Sequence, residues 1–324
     1  MILIFRKRVL FLRTLIFIFP ALIFFSGCKR YTTFSFPALG TIVTITLPSD
    51  NSTYNNYNKS REIVYNLQSV FNRYDQNSAL TDFNDRVGNF KTLPEICDVI
   101  NYSKFIYKIT GVFDITVLPL LQIWDYKKGL IPTKGQIDNA LKKLCINCIN
   151  VIDNNKCIVE KKRDVKIDLG GISKGYIIKK LYEELSKEYN EGVINIGGDI
   201  FAFGKDWDVY ITDPKSKKPR YKIRVKNKSV FTSGDYERFF FKNGRLYSHI
   251  IDPRTGEPAI VKYHSVTVIG DDPVISDGLA TSFFILGPDD CYRIIKNYKN
   301  YSFMFIGDNG FIKSDNFPDV EEVK

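Results

Sequence analysis

The chain has 324 residues, of which 44% are hydrophobic and 14% aromatic, and it carries a formal net charge of +10 at pH 7. This composition excludes a collagen, a coiled coil and a disordered chain, and it provides enough apolar residues for a sizeable core. Because four basic residues and no acidic residue lie in residues 1–27, the charge falls to +6 without that segment. The lysines are dispersed and no nucleic-acid motif accompanies them, so we expect no nucleic-acid partner.

The N-terminus has the three parts of a signal peptide. Basic residues precede an apolar run from Thr14 to Phe25, which is shorter than the ~20 residues that a spanning helix needs. Ser26, Gly27 and Cys28 follow as in a bacterial lipobox, although Phe25 stands where leucine is usual. We predict a signal peptide over residues 1–27, lipidation of Cys28 and a folded unit over residues 28–324. An uncleaved signal anchor and ordinary secretion are the alternatives, and all three place the folded unit outside the cytoplasm.

Taken in chain order, the residue patterns predict a first half dominated by helices and a second half dominated by strands. The first half has a strand at 31–47, a polar loop at 49–60, helices at 61–74, 94–110 and 134–144, a short strand at 165–169 and a helix at 172–189. The second half has strands at 192–203, 207–212, 221–225, 229–232, 239–241, 265–269 and 301–306, with a helix at 277–286. No steady βαβ alternation, repeat or linker is present. We therefore predict one α+β unit with mixed, mainly antiparallel sheets flanked by helices.

Five cysteines remain if Cys28 carries lipid. Cys145 and Cys148 form a C-x-x-C pair with Cys157 nearby. A lone C-x-x-C is weak evidence for zinc, so a local disulfide or buried thiols is the better interpretation. The odd number leaves at least one thiol unpaired within a monomer.

A glycine-rich segment from Asp168 to Gly175 lies where a predicted strand meets a helix. Glycines allow a ligand close to the backbone, and a helix N-terminus with Lys174 beside it attracts an anion. A packed strand-to-helix turn explains the segment about as well, since it is neither a Walker A loop nor a dinucleotide fingerprint. The pair Gly197-Gly198 before Asp199 allows the same two interpretations.

Asp277 and Thr281 lie four residues apart in a predicted helix and therefore share one face. A carboxylate and a hydroxyl are hard oxygen ligands that suit Mg²⁺, which binds few protein oxygens together with substrate phosphates. The alternative is that Asp277 caps the helix N-terminus and Thr281 only packs.

His249 is one of two histidines, and it lies close to Asp252, Arg254 and a Pro/Gly turn. This environment is unusual for a core histidine and suits a general base or a phosphate contact. His264 has no such neighbours, and we interpret it as structural. Asp114, inside an apolar run, needs a polar partner.

Eight segments, in this order, resemble the ApbE-type FAD:protein FMN transferases and extend over most of the folded unit. They are residues 38–41, 74–84, 111–124, 168–176, 195–204, 232–238, 249–256 and 276–281. The resemblance implies a T-fold-related catalytic unit in a periplasmic lipoprotein, anchored by lipid to the cell inner membrane. It implies FAD as substrate and Mg²⁺ as cofactor. Such enzymes cleave the FAD pyrophosphate, join FMN by a phosphoester bond to a Thr or Ser of a target protein, and release AMP. The implied partners are flavin-accepting subunits of membrane redox complexes.

Site residues also follow from this resemblance, position by position. Asp277 and Thr281 match the metal side chains, Ser173 stands where a main-chain carbonyl completes the metal site, and His249 matches the histidine regarded as catalytic. The residues that match FAD contacts are Leu39, Tyr74, Asn84, Val112, Phe113, Asp114, Gly170, Lys174, Tyr176 and Ile251.

Three of these positions have particular features. Ser173 replaces the usual alanine, which matters little where the main chain is the ligand. Leu39 replaces a common methionine near the flavin. Asn84 closes a Ser-x-Leu-x-x-x-Asn pattern and is expected to contact adenine.

Two rival functions are open at this point. An FAD pyrophosphatase would use the same metal and base with water as the acceptor, and a flavin-binding lipoprotein would leave FAD intact. Self-flavinylation is a weaker idea, because the segment 277–282 lacks the Ser/Thr-Gly-Ala core of the family's acceptor signal.

Overall fold

The computed structural model describes residues 30–125, 128–236, 239–242, 244–259 and 262–323. The predicted signal peptide and the predicted lipidation site Cys28 lie outside these residues. Within the described part, no single helix is long and apolar enough to cross a membrane. One bent pair, Pro94–Thr110 with Ile115–Ile123, passes that test by length and composition only.

The strands form one large antiparallel sheet and three small ones. In chain order they are β1 (Tyr31–Ala38), β2 (Thr41–Pro48), β3 (Gly88–Lys91), β4 (Ile149–Asp153), β5 (Ile158–Lys161), β6 (Gly192–Ile196), β7 (Asp199–Phe203), β8 (Trp207–Thr212), β9 (Pro219–Val225), β10 (Lys228–Gly234), β11 (Phe239–Lys242), β12 (Arg245–Ser248), β13 (Tyr263–Gly270), β14 (Ser302–Gly307), β15 (Gly310–Lys313) and β16 (Glu321–Glu322). The large sheet has the order β1-β2-β6-β7-β10-β13-β14-β15, and the small sheets are β3-β5-β4, β16-β9-β8 and β11-β12.

The helices are spread along the chain between these strands. They are α1 (Thr53–Val70), α2 (Ala79–Asp85), α3 (Pro94–Thr110), α4 (Leu118–Ile123), α5 (Lys134–Leu141), α6 (Ser173–Leu185), α7 (Pro273–Leu286) and α8 (Pro288–Ile295). Short 3₁₀ turns lie at Ile115–Val117 and Ile146–Cys148.

The core has three layers around the large sheet. Alternate side chains of a strand point to opposite faces, so Val268 packs in the cluster beneath the helices while Ile269 packs against the small sheet of β8 and β9. Helices α6 and α7 pack on each other and on the large sheet. A separate small cluster joins α4 and α5 to Ile251.

The predicted fold class is confirmed, and α3 has the predicted bounds. Two predicted strands are each a hairpin, since turns at Leu39–Gly40 and Gly197–Gly198 divide them.

The cysteine interpretation is also confirmed. Cys145 and Cys148 form a disulfide, and the other described cysteines, Cys97, Cys157 and Cys291, are free and buried.

Two element predictions were wrong for a physical reason. The polar segment 49–60 was predicted as a loop, but α1 begins at Thr53, because its polar side chains bond within the protein: Asn56 Nδ2 donates to Glu188 Oε2 (2.6 Å). The segment 165–169 was predicted as a strand, but it is irregular. Its main chain pairs with a side chain, since Ile167 N donates to Asn84 Oδ1 (2.7 Å).

Candidate metal and nucleotide site

The start of α6 lies directly against the middle of α7. Gly175 N donates to Asp277 Oδ2 over 2.8 Å, which ties the carboxylate of one helix to the main chain of the other. A Cβ at Gly175 would lie 2.4 Å from Pro273 O and 2.8 Å from Asp277 Cβ. Only glycine therefore allows the two helices to approach this closely.

Asp277 is not the N-cap of its helix, so that alternative is wrong. The helix begins at Pro273, and its cap is Asp272, whose Oδ1 accepts from Val274 N (2.8 Å) and Ile275 N (3.2 Å). Asp277 lies in the second turn and is 5% exposed. A buried carboxylate away from the cap needs another explanation, and the bond to Gly175 is one part of it.

Thr281 lies one turn further along α7, beside the glycine turn that leads into α6. A Cβ at Gly171 would lie 3.1 Å from Thr281 Oγ1 and 3.4 Å from Phe113 Cε2. Ser173, the first residue of α6, lies between Gly171 and Gly175 in the chain. The structure thus brings together the three predicted metal residues and the Phe113 ring.

The oxygen donors at this point suit a magnesium ion. Within the described part of the chain, no group of three or more His, Cys, Asp or Glu side chains could hold a metal. A metal held here would use one carboxylate, one hydroxyl and a main-chain carbonyl. That set is incomplete by itself and matches Mg²⁺, which keeps positions for substrate phosphates.

The turn before α6 is fixed by an ion pair that the sequence did not indicate. Asp168 Oδ1 accepts from Gly170 N (2.9 Å), and its Oδ2 accepts from Arg73 Nη1 (2.7 Å). Burial lowers the pKa of Arg73, but Asp168 and the Tyr74 hydroxyl outweigh burial and raise it. Arg73 also donates to Tyr74 OH (2.7 Å) and lies 4.8 Å from its ring centroid. Tyr74 is 80% exposed, so its ring is accessible to a ligand.

Lys174 is paired with a residue that the sequence left unassigned. Its Nζ donates to Asp199 Oδ2, and Asp199 Oδ1 accepts from Thr232 N (3.2 Å). Asp199 is 3% exposed and follows the turn at Gly197–Gly198. The Gly-Gly-Asp triplet was visible in the sequence, but the pairing of Asp199 with Lys174 was not, because the two residues are 25 positions apart in the chain.

The segment before α4 lies behind the metal residues. Val112 and Phe113 are buried, and Asp114 caps the 3₁₀ turn by accepting from Thr116 N (2.7 Å) and Thr116 Oγ1 (2.6 Å). Burial raises the pKa of Asp114. Thr116 Oγ1 in turn accepts from Cys145 N (2.9 Å), so the disulfide loop supports this segment. The predicted need of Asp114 for a polar partner is confirmed.

Three residues predicted to contact FAD have their polar groups engaged elsewhere. Leu39 N donates to Gln68 Oε1 (2.5 Å). The turn at Leu39 lies beside Gly197, because Gly197 N donates to Ile42 O (3.1 Å). The Asn84 amide bonds both main-chain groups of Ile167 and holds the approach to Asp168.

The Tyr176 side chain is 1% exposed, and its hydroxyl donates to Asp98 Oδ2 (2.8 Å). Any contact of Tyr176 with a ligand must therefore come from its main chain. The predicted adenine contact of Asn84 and the predicted flavin contact of Leu39 stay predictions.

His249 is half-buried and follows β12 directly, at the start of a well-anchored loop. Ile250 packs in the main core and Ile251 in the small cluster of α4 and α5. Asp252 accepts a two-point hydrogen bond from the Arg254 guanidinium (2.7–3.1 Å), and the end of the loop is held by Trp124 Nε1 donating to Gly256 O (2.9 Å). The backbone that follows the imidazole is thus fixed.

His264, the second histidine, does have charged neighbours, which its sequence environment did not indicate, and its structural role stays a prediction. Its ring nitrogens lie 3.1 Å from Asp235 Oδ2 and 3.1 Å from Asp308 Oδ1. Burial lowers the pKa of His264, but the two carboxylates outweigh burial and raise it. The residue links the motif at 232–238 to the turn between β14 and β15.

Known proteins are similar to this chain over most of its length. The sequence profile of the ApbE family matches residues 39–305. A relative from Haemophilus influenzae named FAD:protein FMN transferase is 26% identical and covers 92% of this chain and 95% of its own. The crystal structure of the ApbE protein from Thermotoga maritima is 30% identical, with a TM-score of 0.81, and covers 89% of this chain and 98% of its own. The flavin transferase ApbE from Vibrio cholerae, at 22% identity and a TM-score of 0.78, shares the fold. This chain belongs to the ApbE family.

Proposed function

We propose that this protein is an FAD:protein FMN transferase that depends on Mg²⁺. Family membership and the printed function of relatives that span nearly the whole chain support the reaction. The observation that carries the metal dependence is the contact of Asp277 and Thr281 with the glycine turn at the start of α6.

The reaction replaces the phosphoanhydride bond of FAD with a phosphoester bond to the target protein. The oxygen of a Thr or Ser hydroxyl on the target attacks the phosphorus on the riboflavin side of the FAD diphosphate. A new P–O bond forms, the bond from that phosphorus to the bridging oxygen breaks, and AMP leaves with the bridging oxygen. The hydroxyl proton passes to a base. The target gains FMN, and no oxidant or reductant takes part.

The oxygens of Asp277, Thr281 and the Ser173 main chain would hold the metal. When bound, Mg²⁺ would neutralise the negative charge that develops on the diphosphate. The N-terminus of α6 adds its positive end beside the same turn. Asp199 fixes the Lys174 ammonium at the first turn of α6, so this charge needs little reorganisation when phosphate arrives.

His249 is the base in this proposal. A neutral imidazole can accept the hydroxyl proton, and the anchored loop of residues 250–256 fixes the main chain next to His249. For the flavin, Tyr74 offers an exposed ring on which a flat ligand can stack, whereas Val112, Phe113 and Ile251 are buried and would contact FAD mainly through their main chains.

The cellular setting belongs to the same proposal. A signal peptide over residues 1–27 and a lipid on Cys28 would place the enzyme on the periplasmic side of the inner membrane. Its partners would then be flavin-accepting subunits of membrane redox complexes. The N-terminal sequence supports this setting, and the family supports a protein acceptor.

Product analysis with FAD and Mg²⁺ tests the proposed reaction. In the presence of a protein carrying the Asp-Gly-x-Ser/Thr-Gly-Ala-Thr signal, we expect AMP together with flavin that stays on the denatured protein. Free FMN and AMP without bound flavin would show the pyrophosphatase instead. Intact FAD would show a carrier.

A further inference from the structure

The strands of the large sheet separate two ends of the molecule. The turns at Leu39–Gly40 and Gly197–Gly198 lie at the site end, next to Asp199. At the other end β1 begins at Tyr31, β7 finishes at Phe203 and β10 begins at Lys228. We call this other end the anchor end, because β1, the first strand after the predicted lipidation site Cys28, begins there.

An aromatic pair with a lysine lies at the anchor end. The rings of Tyr31 and Trp207 are 5.3 Å apart, edge to face, and Lys205 Nζ lies 4.1 Å and 4.2 Å from the two ring centroids. All three side chains are partly exposed. Aromatic rings with a polar edge beside lysine are typical of membrane–water interfaces.

A basic groove continues the same surface. Trp207 pairs with Val225 across the strands, and Gly204 N donates to Asn227 Oδ1 (2.7 Å), which joins the Lys205 turn to the turn at Lys226. The groove has a volume of about 230 Å³, and its cations are Arg224, Lys226, Lys228 and Lys299.

Acidic residues neutralise only part of this charge. Arg224 pairs with Asp208 (2.9 Å), and Lys228 pairs with Asp271. Lys226 and Lys299 are exposed and form no ion pair with any described residue. Asp206, which is exposed between Lys205 and Trp207 in the chain, is an opposing charge beside the aromatic pair, and Glu191 packs against the neighbouring Gly204.

We propose that the anchor end contacts an anionic phospholipid bilayer through Arg30, Tyr31, Lys205, Trp207, Lys226 and Lys299. The inference rests on the proposed lipid anchor, since Arg30 follows Cys28 by two residues, a span of at most ~7 Å. A lipid at Cys28 would therefore hold this surface close to the headgroups. Lysines near an anionic surface each strengthen membrane attachment roughly fivefold.

The orientation has a consequence for the reaction. Strands of five to eight residues separate the two ends, which corresponds to roughly 15–25 Å. The bilayer contact holds the metal and nucleotide site away from the lipid, facing the aqueous side. An acceptor hydroxyl must then reach it from a segment that projects from the membrane by a similar distance.

Fluorescence quenching by brominated lipids tests the contact, because the chain has two tryptophans and the other one, Trp124, is buried. Full-length protein is placed on vesicles of phosphatidylcholine with or without phosphatidylglycerol, both containing brominated lipid. The signal that Trp207→Phe removes belongs to Trp207. We expect this signal to be quenched on vesicles with phosphatidylglycerol, and quenching to weaken at ~1 M salt, where the Debye length is about 3 Å.

Charge reversal supplies the matched control. Lys226→Glu with Lys299→Glu should weaken Trp207 quenching, whereas Lys91→Glu with Lys108→Glu, two exposed lysines on other elements, should not. If the protein floats with anionic vesicles but Trp207 stays unquenched, the proposal is overturned. A protein that does not float with these vesicles would overturn it as well. Equal effects of the two double variants would overturn it as well. The salt series keeps the test valid if a double variant fails to fold. AMP release in the same samples reports the proposed function separately.

Discussion

At the scale of single residues, the metal proposal depends on how Asp277 is held. The residue is buried in α7, away from the helix cap, and its carboxylate accepts a hydrogen bond from the first turn of α6. Helical spacing in the sequence showed that Asp277 and Thr281 share a face. It could not show that this face meets Gly171 and Gly175, because those residues are about a hundred positions away.

Asp277→Asn tests the metal claim at this residue. Because the charge on the metal side is lost while the shape is kept, Mg²⁺-dependent AMP release should fall on the order of 10²–10³-fold. Asp289→Asn, at an exposed position of α8, should leave AMP release unchanged. The measurement is initial rate against Mg²⁺ concentration, and an Asp277→Asn enzyme with normal Mg²⁺ dependence would contradict the claim.

His249→Gln tests the base, with the second histidine as its control. We expect turnover to fall on the order of 10²–10⁴-fold, because the acceptor hydroxyl loses its proton acceptor. His264→Gln should keep most of the activity near neutral pH, since His264 is engaged by Asp235 and Asp308. The measurement is the rate of flavin transfer by each variant. Equal losses of rate in the two variants would show that His249 is not the base.

His264 should also contribute to stability in a pH-dependent way. Its pKa in the folded protein is raised above the ordinary value, so its contribution is fully present below pH ~6.5 and is lost as pH rises through the folded pKa. Urea unfolding of wild type and His264→Gln at several pH values measures this. The difference in unfolding free energy between wild type and the variant should be larger at pH 5.5 than at pH 9. The same difference at both pH values would show that the ion pairs of His264 do not stabilise the protein.

At the scale of elements, the packing of α6 on α7 determines whether a site forms. Sequence patterns located both helices, and Pro94 with Gly111 correctly bounded α3, because proline starts helices and glycine ends them. The patterns failed where side chains replace main-chain partners, as at residues 165–169, and where tertiary contacts satisfy polar residues, as at the start of α1. Neither kind of bond leaves a local periodic signal.

Gly175→Ala tests the helix contact. The added Cβ would lie 2.4 Å from Pro273 O, which neither helix can avoid without moving, so unfolding free energy should fall by about 1–3 kcal/mol or more. Gly135→Ala in α5 meets open space and should leave stability equal or raise it by up to ~1 kcal/mol.

Denaturant titration followed by circular dichroism measures both glycine variants. A Gly175→Ala protein as stable as wild type, with full AMP release, would show that the close approach of α6 and α7 is not required.

At the scale of the whole molecule, the site depends on a topology that local patterns cannot give. The large sheet pairs β2 with β6, which brings the turns at Leu39–Gly40 and Gly197–Gly198 together. The α+β class followed from the order of elements, but the strand order did not. Resemblance to a family, carried by short segments in a fixed order, indicated the site before the structure assembled it. The partners Arg73 and Asp199 were found only in the structure.

The intact mass of an acceptor protein tests the central claim most directly. A domain carrying the acceptor signal is incubated with this enzyme, FAD and Mg²⁺, beside a domain in which the Ser and Thr residues of the signal are replaced by Ala. The account predicts that the first domain gains the mass of one FMN less water, with one AMP released per modified protein, and that the second gains nothing. AMP release from FAD while the mass of the first domain stays unchanged would contradict it.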